Sequence, residues 1–108
     1  MPALEWTCEN LKRRLDEGQP VTLIDCRETW EHELVALPDS TLIPMNDTPA
    51  RVEEYRAKPG PIVVYCHHGV RSMNVVHWLR NQGVEDVWSL SGGIDHWSLT
   101  VDPDLPRY

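Results

Sequence analysis

Ile62-Val63-Val64-Tyr65-Cys66-His67-His68-Gly69-Val70-Arg71-Ser72 is the stretch on which the fold turns. Its first four residues are apolar and mostly β-branched, the composition of a short buried strand. From Ser72 onward, Met73, Val76 and Leu79 recur at helical spacing, and Gly83 marks the end of that helix. A strand that passes into a helix through a six-residue turn is half of a βαβ unit, so the pattern predicts a parallel sheet covered by helices.

Outward from this stretch the alternation continues. Upstream, Lys58-Pro59-Gly60-Pro61 is a break. Before it, Pro49 to Arg56 reads as a helix with proline in its first turn. Thr41-Leu42-Ile43 reads as a short strand closed by Pro44, and Glu28 to Leu34 as a charged helix. Val21-Thr22-Leu23-Ile24 is a strand ending at Asp25. The first helix starts at Thr7, an N-cap, with Cys8, Leu11 and Leu15 on one stripe, Trp6 and Leu11 as a hydrophobic staple, and Gly18 as the stop. Downstream come the strand Val87-Trp88-Ser89-Leu90, the turn Ser91-Gly92-Gly93 and a short helix. The proline-rich segment from about 101 to 108 predicts a tail without regular structure.

Composition sets bounds. A chain of 108 residues holds one domain and one main core, so residues 1–108 are read as a single domain. With 41% apolar and 25% charged residues the composition is that of a globular protein. A net charge of −7 argues against nucleic acid, which needs a basic face, and against an anionic membrane surface. No apolar run is long enough to span a bilayer, and Met1 to Glu5 lacks an export signal, so a cytoplasmic location is expected. The cysteines, Cys8, Cys26 and Cys66, are odd in number and contain no Cys-x-x-Cys pair. That argues against a disulfide framework and a structural zinc site, and His32, His77 and His96 are too scattered for another metal.

Cys66 stands where open parallel sheets bind ligands, just beyond the carboxyl end of a central strand. The run from His67 to Arg71, through His68, Gly69 and Val70, is short enough to curl its N–H groups inward as an anion nest, with Gly69 free to take left-handed angles. The following helix start adds positive dipole, and Arg71 a full charge unless an acid neutralises it. Each favours thiolate over thiol, whose free pKa is ~8.5. The pattern points to Cys66 as a covalent nucleophile, against the plainer reading of a small buried hydrophobe at a strand end.

Three motifs then carry a family resemblance. Val64-Tyr65-Cys66-His67-His68-Gly69-Val70-Arg71-Ser72 resembles the active-site loop of the rhodanese-like sulfurtransferases. Leu23-Ile24-Asp25-Cys26-Arg27-Glu28 resembles their Asp-x-Arg motif, and Ser91-Gly92-Gly93-Ile94-Asp95-His96-Trp97 their Gly-Gly-x-x-x-Trp motif. The resemblance implies a single rhodanese-like α/β domain in which Cys66 accepts a sulfane sulfur as a persulfide and passes it to a thiol, cyanide or a sulfur-carrier protein. It implies that the amides of His67, His68, Gly69, Val70 and Ser72 cradle the anion and that Arg71 shapes the loop's field. No cofactor or metal is implied. The family's Gly-His-Ile-x-Gly-Ala segment is missing, and Leu37 to Pro44 stands in its place. The segment Val101 to Tyr108 is similar to the ending of rhodanese-like domains fused to E1-like adenylyltransferases, which suggests such an enzyme or its carrier protein as partner.

Other residues take plainer readings. Asp25 and Arg27 are expected to pair structurally, Cys26 and Cys8 to pack without chemistry, and Trp88 and Trp97 to pack as well. His67 and His68 either touch substrate or lend only their amides. Two other functions stay open: a cysteine phosphatase or arsenate reductase, whose related loops place five residues between Cys and Arg where this chain has four, and a non-catalytic protein-binding module.

Overall fold

A computed structural model describes residues 4–108, so the reading of Met1 to Ala3 lies outside the described residues. At its centre Ile62–Tyr65 forms strand β4. The chain order before it is β1 (Glu5–Trp6), α1 (Cys8–Asp16), β2 (Thr22–Asp25), α2 (Thr29–Leu34), β3 (Thr41–Leu42) and α3 (Val52–Ala57). After it come α4 (Val70–Asn81), β5 (Val87–Leu90) and α5 (Gly93–Thr100). The sheet runs β1-β5-β4-β2-β3, and every pair is parallel.

Period-two alternation divides the core between the two faces of this sheet. Ile24, Ile62, Val64 and Cys66 face one layer, where they meet Tyr55 of α3 and Val75, Val76 and Leu79 of α4. Leu23, Val63 and Tyr65 face the other, against Cys8 and Leu11 of α1 and Ile94 and Trp97 of α5. Cys66 and Cys8 therefore lie in different layers.

The expected elements form, with three differences. Trp6 belongs to a short edge strand, β1, which the sequence hid because two residues carry no periodicity; it packs against Trp88 at 6.2 Å between ring centroids. The helix expected over Pro49 to Arg56 opens as a 3-10 turn, Pro49–Arg51, before α3. Helix α4 begins at Val70, two residues before the expected Ser72, because Gly69 at φ 104° serves as its N-cap. Thr7 does cap α1, its hydroxyl accepting from the Asn10 amide at 3.0 Å, but Leu15 is exposed rather than part of the buried stripe.

Between β2 and α2 the chain is held by a buried ion pair. Arg27 donates to both carboxylate oxygens of Asp25, at 2.8 and 2.7 Å, and both side chains are fully buried. The Asp-x-Arg residues thus act structurally, as expected. The tail lies over the domain as a strap: Leu105 and Tyr108 pack on the second core layer, and Arg107 pairs with Asp95 at 2.8 Å.

Candidate active site

The loop from Cys66 to Gly69 joins β4 to α4, and the early helix start decides its shape. With Val70 already helical, the amides of the first turn of α4 have no partner within the helix and point back at the strand end. The Gly69 amide donates to Cys66 Sγ at 3.0 Å and the Ser72 amide at 3.4 Å. The Ser72 hydroxyl lies 3.5 Å from the same sulfur and is held by the Ser89 hydroxyl of β5 at 2.7 Å. The cradle therefore forms around the sulfur, with the contacts to it coming from Gly69 and Ser72.

The opposite side of the loop is fastened by α5. The Ile94 amide donates to the Cys66 carbonyl at 2.9 Å and the Asp95 amide to the His67 carbonyl at 3.1 Å. Carbonyls drawn toward α5 leave the loop's amides free to face the sulfur. The glycines Gly92 (φ 78°) and Gly93 (φ 64°) make this approach possible.

The charge of Arg71 is paired with an acid. Its guanidinium makes a two-pronged pair with Glu31 of α2, at 2.7 and 2.9 Å, and Glu31 is 3% exposed. The Tyr108 hydroxyl donates to the same carboxylate at 2.6 Å, and Arg71 first, then Tyr108 in smaller measure, hold Glu31 down to about 2. Arg71 thus ties α4 to α2, and the Glu31 carboxylate offsets part of its charge. The sequence alone gave no signal for Glu31, forty residues away. His67 is stacked on Tyr108, ring centroids 4.0 Å apart, and burial lowers its pKa. His68 is exposed, 3.8 Å from Asp95. Val70 forms the exposed lip of the loop.

Cys66 itself is 1% exposed. The neighbouring Cys26 thiol, then the Ser72 hydroxyl and the amides of Ser72 and Gly69, hold its pKa well below that of an ordinary thiol, against the opposing effect of burial. Of the two thiols, Cys66 is the one that ionises, because the amides converge on it, whereas Cys26 is buried beside an ionised neighbour and is pushed up. Burial raises Cys8 as well, to about 12. The position of Cys26 next to Cys66 was not legible as chemistry in the sequence. The alkylation rate of Cys66 by a small electrophile is expected to rise with pH through an apparent pKa well below ~8.5 and then level off. Ser72→Ala should move that midpoint upward, and Arg71→Ala should move it much less; a wild-type rate still climbing near the free-thiol value would show that the cradle does not ionise the sulfur.

The family model of the rhodanese-like domain matches residues 7–100. The chain belongs to the rhodanese-like domain family. A rhodanese-like domain protein from Staphylococcus aureus has the same fold at a TM-score of 0.81, with 30% sequence identity over 97% of this chain and 98% of that one. A sulfurtransferase of Allochromatium vinosum is 36% identical over 90 residues, covering 83% of each chain. The adenylyltransferase and sulfurtransferase MOCS3-2 of Zea mays is 29% identical over 94% of this chain, which spans only 22% of that protein's length. Other curated relatives are also much longer, the chain spanning 31% of one and 23% of another. The three quoted motifs thus mark a rhodanese-like domain, as their resemblance implies. No helix among the described residues is long and apolar enough to cross a membrane.

Proposed function

We propose that this rhodanese-like chain is a sulfurtransferase whose residues 1–108 work as one unit, with Cys66 as the sulfur-carrying nucleophile. The observation that carries this reading is the convergence of the Gly69 and Ser72 amides on Cys66 Sγ at the start of α4. The thiolate attacks the outer sulfur of a sulfane donor, displacing the remainder of the donor, and a persulfide anion is left on Cys66. The amides of His67, His68, Gly69, Val70 and Ser72 line the turn in which that charge is held. Arg71 acts as a positioning residue, through Glu31. An acceptor thiol or cyanide then takes the terminal sulfur and returns Cys66 to its thiolate.

The similarity to an adenylyltransferase and sulfurtransferase supports a sulfur-carrier protein or an E1-like adenylyltransferase as a macromolecular partner. The three free cysteines suit a reducing compartment, the cytoplasm being the expected one. Four residues between Cys66 and Arg71 favour sulfur over phosphoryl transfer, since a tetrahedral oxyanion brings three further oxygens that each need room and a donor. The test is to incubate the protein with thiosulfate or an organic persulfide, map the added sulfur by peptide mass spectrometry, and assay aryl phosphate hydrolysis with the same preparation. One sulfur on Cys66 and negligible hydrolysis are expected; Cys66-dependent phosphatase turnover without sulfur loading would overturn the reading.

A further inference from the structure

A second thiol stands directly behind the nucleophile. Strands β2 and β4 pair in parallel with Asp25 opposite Tyr65, and the ladder continues one step further, the Cys26 amide donating to the Tyr65 carbonyl at 3.0 Å. Cys26 and Cys66 are therefore the next register pair. Neighbouring strands lie about 4.8 Å apart, inside the roughly 4.4–6.8 Å that two Cα atoms joined by a disulfide span. Both side chains enter the same core layer, among Ile24, Ile43 and Val64. Cys26 is buried beneath the strand end, while Cys66 stands at the start of the loop and carries the amide cradle.

We infer that Cys26 is an internal resolving thiol, which attacks the inner sulfur of loaded Cys66 and releases the carried sulfur as hydrosulfide. The inference rests on the reading of Cys66 as a sulfur carrier. Cys66 in its persulfide form is Cys66–S–S⁻, and Cys26 is a neutral thiol. The Cys26 proton passes to the outer sulfur, the Cys26 sulfur bonds to the Cys66 sulfur, and the bond between the two persulfide sulfurs breaks. The products are the Cys26–Cys66 disulfide and HS⁻, with one negative charge before and after. The sulfane sulfur is reduced and the two cysteine sulfurs are oxidised, so no outside oxidant enters. This is thiol–disulfide exchange with a persulfide as the disulfide partner, made intramolecular by the strand register.

Before loading, the charge on Cys66 disfavours ionisation of Cys26 and keeps the second thiol quiet. Loading moves that charge one atom outward and makes the inner sulfur an electrophile. The chain then has two outcomes for its cargo: transfer to an acceptor that arrives promptly, or release as hydrosulfide when none does. In the second case a dithiol reductant must reopen the disulfide before another turn, which places a disulfide-reducing reaction next in sequence.

The test is to load reduced protein with one equivalent of an organic persulfide without acceptor, quench with an alkylating agent at intervals, and record the intact mass, the cross-linked peptides and hydrosulfide. Wild type should first gain one sulfur and then convert to a species lacking two hydrogens, with residues 26 and 66 cross-linked and one hydrosulfide released per chain. Cys26→Ser and Cys26→Ala should stay at the one-sulfur mass, with hydrosulfide at the level of a protein-free control. A wild-type chain that holds its added sulfur indefinitely, or cross-links through Cys8, would overturn the inference while leaving Cys66 as carrier. No sulfur gain and no cross-link in wild type would instead overturn the carrier reading beneath it. The wild-type measurements decide the matter even where a Cys26 variant fails to fold.

Discussion

Cys66→Ala is expected to reduce sulfur transfer to cyanide or a thiol by roughly 10³-fold or more, to the background of the uncatalysed reaction, because the proposed covalent step runs through the cradled sulfur of Cys66. The fold should survive. The substitution removes one sulfur atom from a buried site, a loss of about 1 kcal/mol, and it also removes an ionised group from the protein interior. Thermal melts and transfer kinetics on one preparation separate the two effects. Cys8→Ser supplies the contrast: it places a hydroxyl in the core layer on the far side of the sheet, where Cys8 has only long contacts to the carbonyls of Ser91 and Gly93. It should cost about 1–3 kcal/mol of stability and leave transfer nearly intact. A Cys66→Ala protein that folds and still transfers sulfur at the wild-type rate would remove Cys66 from the chemistry.

Gly93→Ala is expected to damage the site more than any other single methyl group. A Cβ at that position would stand 2.5 Å from both the Cys66 and His67 carbonyl oxygens, which are backbone atoms of the Cys66 loop itself. The residue also sits at φ 64°, where a side chain adds about 1–2 kcal/mol of strain. Together these effects should cost at least about 3 kcal/mol, and relief comes only by pushing the loop away from α5. The Ile94 and Asp95 amides then lose their carbonyl partners, the cradle opens, and the Cys66 pKa climbs toward that of an ordinary thiol. Melting temperature and the pH profile of alkylation should change together. Gly18→Ala is the control, with a similar φ of 69° and no atom within 4 Å of the added carbon, so only the backbone strain should appear. Equal losses in the two variants would show that the contact between α5 and the loop carries no special weight.

These two variants mark where the sequence was legible and where it was not. Cys66 was readable because its neighbours are local: the strand before it, the glycine after it and the helix start lie within a dozen residues. The position of the helix start was less so, since Ser72 looks like a cap by residue type, yet Gly69 takes that place and leaves Ser72 to turn its amide and hydroxyl on the sulfur. What joins distant segments left no local pattern. Glu31 reads as one acid in a charged helix, and only folding brings it to Arg71 and Tyr108. Cys26 reads as the variable middle residue of Asp-x-Arg, and only the register of β2 against β4 sets it beside Cys66. Strand β1 is too short for periodicity to reveal, although Trp6 itself was marked as a packing residue.

The closed pair between Arg71 and Glu31 gives the site a short reach. In physiological salt surface charges act over about 8 Å, and within that range an approaching anion meets a protein of net charge −7. Had the guanidinium been free, it would have offset that repulsion at the mouth of the loop and drawn anionic donors in from solution. Spent on Glu31, it leaves attraction to backbone dipoles, which act only at contact. Under the proposed function, an anionic sulfur donor is therefore expected to load slowly but to be held firmly once in contact, while a neutral donor, or one presented by a protein docked against the loop, should meet no such barrier.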